Sequence, residues 1–385
     1  MNSNNDHYLM QYEKRKEIGI FVFFVALCLF EIYQYSIIES DGYLYGDFFS
    51  PLLNRDIFPF SLLISMSTWV FAYLVYRVTR SDKNPKLQLD TTWPILIIYF
   101  LNLIVTVTSN VGHVQGGATS SLAILTTIIP INYLILINAA QPKLNRKFQA
   151  AAVVFMVIDL YRLLLGATLK VAYISLVKWT RRKLIIVTIL APVLFFVAQA
   201  LVEYKNDARG IKTNISSNLV LNTISSRITL LPTIHYVITN ADAVSRFCAN
   251  DEYASVWETA VLSVLPKKIL GIEWPKTYNN CLIEYHLKAS VDDSSVNFPW
   301  LMSLYITFIR SSLDFFAMFF FTTALLLVIV KFSNSLLGRN GSIFNAWIIY
   351  EYFGSGNILH LTIPLYFLIV LFIYSKLKKQ NRTES

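Results

Sequence analysis

Charge is what this 385-residue chain has least of. Only 15% of its residues are Asp, Glu, Lys or Arg, against 55% hydrophobic. A soluble domain carries about a quarter charged residues to coat its surface, so the composition argues against a water-soluble protein. Cysteine is scarce too: Cys28 lies in an apolar run, while Cys248 and Cys281 lie in one polar stretch. For that pair, a disulfide and two separate buried thiols stay open as alternatives. Chemistry-bearing motifs are also missing. There is no Walker loop, GxGxxG, His-Glu-x-x-His or GxSxG, which removes the common nucleotide, zinc-protease and serine-hydrolase readings. No Asp-x-Asp pair is present to hold a metal against a sugar diphosphate, and His113, His235, His286 and His360 have no zinc spacing with cysteine. Neither a metal nor a cofactor is expected.

What the chain has instead is repeated apolar runs of about 20 residues, the length that crosses ~30 Å of hydrocarbon. The residues from Met1 to Glu17 are polar, and the run behind them is too long for a cleaved leader. It reads as a retained first span, Ile18–Ile38. An acidic loop follows, then Pro59–Val78, Trp93–Val111 and Ser120–Ala140. The 32 residues Phe148–Trp179 are too few for two full spans and read as a short hairpin turning inside protein or a wet cavity. Ile343–Tyr374 repeats that arrangement, with Glu351 and Gly354-Ser355-Gly356-Asn357 at its middle. Leu184–Val202 is an ordinary span. Asn297–Val330 reads as one long helix or a short helix followed by a span.

The net charge of +9 fits nucleic acid poorly, because the bases are placed for topology. Twenty of the 33 fall in six short clusters: Lys14 to Lys16, Arg77 to Lys86, Lys143 to Lys147, Lys178 to Lys183, Lys331 with Arg339, and Lys376 to Arg382. An alternating chain puts all six on one side, the positive-inside pattern. The expected fold class is therefore all-α, a polytopic membrane protein of about ten transmembrane helices with both termini cytoplasmic. A large external loop is expected between the seventh and eighth. That divides the chain into 1–202, a first bundle of about seven spans; 203–296, the external loop; and 297–385, about three spans and a basic tail. Bases and acids in the loop are nearly balanced. Within it 218–238 reads as a re-entrant or interfacial helix.

Bases at membrane depth are costly and mark function. Arg227 lies midway along 218–238 with no acid within a helical turn, so either a remote carboxylate or a phosphate ligand must satisfy it. Arg162 in the first short hairpin has Asp159 as an alternative partner, and Arg209 opens the loop, where an interfacial anchor is the alternative. Lys267, Lys268 and Lys276 flank Pro266 and Pro275, a rigid basic turn or a solvated one. Together they suggest an external cationic site for a lipid-linked pyrophosphate, whose oxygens suit the guanidinium fork.

Here the chain resembles the Wzy-type O-antigen or capsular repeat-unit polymerases. The likeness lies in overall topology, in Arg162-Leu163-Leu164-Leu165-Gly166, Arg209 and Arg227, and in the stretch from Leu265-Pro266-Lys267-Lys268 to Trp274-Pro275-Lys276. The segment Ser294-Ser295-Val296-Asn297-Phe298-Pro299 leading to Tyr305 adds to it. The family's Arg-x10-Gly spacing is absent, since Val220 and Ile238 stand eleven residues after Arg209 and Arg227. The resemblance implies metal-independent glycosyl transfer at the periplasmic face of the bacterial inner membrane. Undecaprenyl-diphosphate-linked oligosaccharides would be donor and acceptor, membrane lipids and a chain-length regulator protein partners, and nucleic acid none. The three arginines and three lysines would bind the diphosphate, and His235, Asp292 or Asp293 would serve as the base. An O-antigen ligase and a lipid-linked oligosaccharide flippase are the alternatives.

Overall fold

The structure is a computed structural model, and it describes residues 3–45, 50–81, 83, 100, 104, 131–139, 166–178, 228–248, 278–288, 299–355 and 359–383. The described elements, numbered in chain order, are almost all helical. They are α1 (Ser3–Asp41), a strand pair β1 (Tyr43–Leu44) and β2 (Ser50–Pro51), α2 (Phe58–Thr79), α3 (Ile131–Ala139), α4 (Gly166–Val177), α5 (Leu231–Phe247), α6 (Tyr278–Leu287), α7 (Trp300–Arg310), α8 (Ser312–Leu337), α9 (Ser342–Ser355) and α10 (Leu359–Thr383). Three stretches among the described residues are long and apolar enough to cross a membrane: Met10–Asp41, Arg55–Thr79 and Ser312–Ser355.

The core of these helices is apolar, but so is much of their outer surface, unlike that of a soluble bundle. Phe21, Leu29, Leu63, Leu74, Phe320 and Val328 point outward, while Glu31, Ser61, Ser65, Thr68 and Thr322 are buried between helices. In lipid the outer surface has no reason to be polar, and polar side chains gain by meeting one another inside.

Helix α1 ends at Gly42, whose φ of +73° allows the chain to leave the helix. The Leu52 amide donates to the Gly42 carbonyl at 2.8 Å, closing the small antiparallel β1–β2 turn in which Tyr43 faces Pro51. Helix α2 then starts with Pro in its first turn, where no backbone donor is lost, and returns along α1. The pairs Glu31 with Trp69 and Glu17 with Tyr76 fix that antiparallel match. Helix α4 also runs antiparallel to α1, as Gly19 against Val177 and Phe23 against Tyr173 show.

Two further helical hairpins form the C-terminal part. Ser311 breaks the chain between α7 and α8, its hydroxyl accepting from the Asp314 amide at 3.3 Å as an N-cap. The two helices fold back on each other, with Phe308 against Phe315 and Trp300 Nε1 donating to Thr322 Oγ1 at 3.3 Å. Of the two sequence expectations for 297–330, the short helix before a span is therefore the one observed. Helices α9 and α10 fold back across residues 356–358, placing Phe344 against Phe367. At 14 residues α9 is about 21 Å long, short of the hydrocarbon thickness, whereas α10 runs for 25 residues, so only the first of the two helices expected to be short is short.

One sequence expectation needs correction. The 218–238 segment is not a continuous helix: Thr229 and Leu230 interrupt it, and α5 begins at Leu231 with Pro232 in its first turn. A proline there lacks the amide that would continue the preceding turn and restricts the residue before it.

At one end of the bundle residues from four of the six basic clusters converge. Lys16 Nζ donates to the Arg339 carbonyl at 2.8 Å, the Arg339 amide to the Lys83 carbonyl at 2.8 Å, and Asn334 Nδ2 to the Thr79 carbonyl at 2.6 Å. Glu17 pairs with Arg80 at 3.2 Å, and Lys178 lies over the Tyr12 ring.

Candidate functional site

Midway along α1 and α2, polar and aromatic side chains from five helices form one buried layer. It starts at Glu31, which is fully buried. Its Oε1 accepts from Trp69 Nε1 at 2.8 Å and from the Leu230 amide at 2.7 Å, and its Oε2 accepts from the Leu231 amide at 3.0 Å. Those two amides open α5. The first N–H groups of a helix have no partner within it, and Leu230, standing at the N-cap, has no side-chain oxygen to offer. A carboxylate from a helix about 200 residues earlier supplies the cap. Its oxygens also face the positive end of the α5 dipole.

From Glu31 the layer continues through aromatic rings. The Trp69 indole stacks on Tyr350 at 5.4 Å between centroids, and Gly354 gives it room, since a Cβ there would lie 3.1 Å from Trp69 Cη2. Tyr350 meets Trp347, and Lys170 Nζ sits 4.9 Å over the Trp347 ring. Lys170 pairs with Glu351 Oε1 at 3.0 Å, and the Tyr133 hydroxyl donates to Glu351 Oε2 at 3.0 Å. Lys170 is 7% exposed, so the pair is nearly dry. It joins α4 to α9, two helices far apart in the chain. A charge in such a place is tolerated only with a partner. Trp347 Nε1 meets no acceptor among the described residues.

Helix α5 climbs from Glu31 toward the β1–β2 end of the molecule. Along it His235 is fully buried, with Nε2 2.7 Å from the Leu53 carbonyl and Nδ1 3.1 Å from Ser61 Oγ. A carbonyl only accepts, so Nε2 carries a proton. Both ring nitrogens are engaged, and the imidazole ties α5 to the start of α2. At the far end of α5, Cys248 is bonded to Cys281 on α6 as a disulfide, which decides between the two alternatives left open by the sequence.

Of the sequence-derived site residues, His235 is the one described. Arg162, Arg209, Arg227, Lys267, Lys268, Lys276, Asp292 and Asp293 lie outside the described residues. Glu31 and Lys170 were not singled out from the sequence. The signal was present, because each is an ionisable residue inside an apolar run. Among the described residues no group of three or more His, Cys, Asp and Glu side chains is arranged to hold a metal ion. No protein-family model, curated protein or solved structure matches this chain.

Proposed function

We propose that the chain is a polymerase that joins undecaprenyl-diphosphate-linked oligosaccharide repeat units at the external face of the inner membrane. The reading is supported above all by the two ends of the bundle. Basic residues gather at one end, and the Cys248–Cys281 disulfide lies at the other. Positive residues stay with the cytoplasm, and disulfides persist outside it, which supports an external position for the 203–296 segment, as a periplasmic transferase requires. The interruption at Thr229–Leu230, directly after Ile228, supports a re-entrant element that brings Arg227 to the bilayer.

In this reading Arg227, Arg209, Arg162, Lys267, Lys268 and Lys276 hold the donor diphosphate. They stabilise the negative charge that develops as the glycan leaves it, with no metal needed. The acceptor hydroxyl of a second lipid-linked unit attacks the anomeric carbon. Because His235 is engaged on both nitrogens, the acceptor proton goes to Asp292 or Asp293.

The broken helix and the buried Lys170–Glu351 pair also suit a transporter of the same lipid-linked anion. The surface glycan of a deletion strain separates the readings. Loss of a polymerase leaves lipid A core carrying a single unit, loss of a ligase leaves bare core, and loss of a flippase leaves lipid-linked units facing the cytoplasm. A single-unit product is the expected result, and a normal ladder would reject all three.

A further inference from the structure

We infer that Glu31 is a positioning residue of the site, acting through the backbone of α5. Its carboxylate pins the inner end of the re-entrant helix at depth in the membrane. The inference rests on the reading above, in which Arg227, four residues before α5, holds the diphosphate, while the geometry of Glu31 and α5 stands on described residues alone.

Helix α5 starts inside a buried layer, where Leu230 and Leu231 are both almost wholly inaccessible. Their amides need acceptors, since water is excluded and an unmet donor in such a place is costly. The sequence around the break gives no help: no side chain caps the helix, and Pro232 contributes no donor. Glu31 meets both amides and is itself held by the Trp69 indole. Seven residues separate Glu31 from Ile38, so the carboxylate sits about 10 Å below the outer end of the first span. A helix start at that depth is stable only while the carboxylate is there. Without it the cheapest adjustment is for the first turn of α5 to slide outward, toward water that satisfies its amides. That motion displaces the break and everything anchored to it. Glu31 touches no reacting atom, so its contribution is to geometry.

The test pairs two readouts on the full-length protein, with Cys28→Ser and Thr233→Cys introduced so that one free thiol marks the first turn of α5. Thr233 is buried, so a membrane-impermeant maleimide labels this reporter slowly while Glu31 is present. Glu31→Ala should raise labelling about tenfold, through local opening of the helix start. The same change should shorten the glycan ladder at matched expression. Glu31→Gln keeps one acceptor oxygen, so both readouts should fall between wild type and Ala; it also serves if the Ala form does not accumulate. Unchanged labelling in both variants overturns the inference whatever the ladder does. Raised labelling with a full-length ladder overturns the link to activity. If the deletion strain itself keeps a normal ladder, the polymerase reading fails by itself, and labelling alone judges the pinning of α5.

Discussion

A lysine and a glutamate that share a nearly dry layer are worth more together than apart. Removing one partner of Lys170–Glu351 strands the other charge, at a cost of about 3–5 kcal/mol for a buried pair. Lys170→Met alone is therefore expected to lower the thermal midpoint of the detergent-solubilised protein sharply. Adding Glu351→Gln removes the stranded charge while keeping an acceptor for Tyr133, and should recover most of the loss. Equal destabilisation by the single and the double variant would show that the pair is not coupled. A different signature is expected at Arg227, which is proposed to grip phosphate. Arg227→Ala should cost roughly 10²–10³ in rate, or ~2.7–4 kcal/mol, with the protein still present in the membrane. Arg227→Lys should recover part of it, because the charge stays and the two-pronged geometry is lost. A full-length ladder from well-expressed Arg227→Ala moves the diphosphate to Arg209 and Lys267.

Among the elements, α1 and α4 make the tightest approach that glycine enforces. A Cβ on Gly19 would lie 2.6 Å from both the Cα and the carbonyl oxygen of Val177. Backbone cannot yield as a side-chain tip can, so Gly19→Ala must push the helices apart. Overpacking of this kind costs about 1–3 kcal/mol, to be read as a lower thermal midpoint; an unchanged midpoint would mean that the helices do not meet there. The α5–α6 link is checked by alkylating denatured, unreduced protein, in which Cys28 should react while Cys248 and Cys281 stay blocked until a reductant is added. Labelling of all three without reductant would remove the disulfide.

These elements also show how far the sequence could be read. The α2 helix was legible almost to the residue, because an apolar run, a leading proline and a basic exit all mark the same boundaries. The short α9 helix was legible from simple length, but the 25 residues of α10 were not. The break before α5 was not, although Pro232 signalled it: an apolar stretch of helical length conceals an interruption whose acceptor sits on another helix. Glu31 and Lys170 stand out in the sequence as ionisable residues inside apolar runs, but their partners do not. Each is satisfied by a group roughly 180 to 200 residues away, and spacing along the chain carries no trace of such a partner.

At the scale of the whole molecule, sidedness is the property from which the rest follows. Lys16, Lys83, Lys178 and Arg339 come from four separate parts of the chain, yet the fold gathers them at one end. Reporter fusions after Lys86, Lys147, Lys183, Arg339 and Lys379 should all report cytoplasm, and fusions near Asp47 and Asp251 should report periplasm. A cytoplasmic signal at Asp251 would place the large loop on the wrong side for any transferase that uses externally presented units.

Purified protein in vesicles, supplied with undecaprenyl-diphosphate-linked repeat units and a chelator, tests the proposed activity most directly. Each glycosidic bond formed between units releases one lipid diphosphate, so the two products are counted together. The expected result is a ladder of lipid-linked oligomers with one free undecaprenyl diphosphate for every bond, lost in the Arg227→Ala form. Units that remain single, with no lipid diphosphate released from correctly folded and oriented protein, would contradict it.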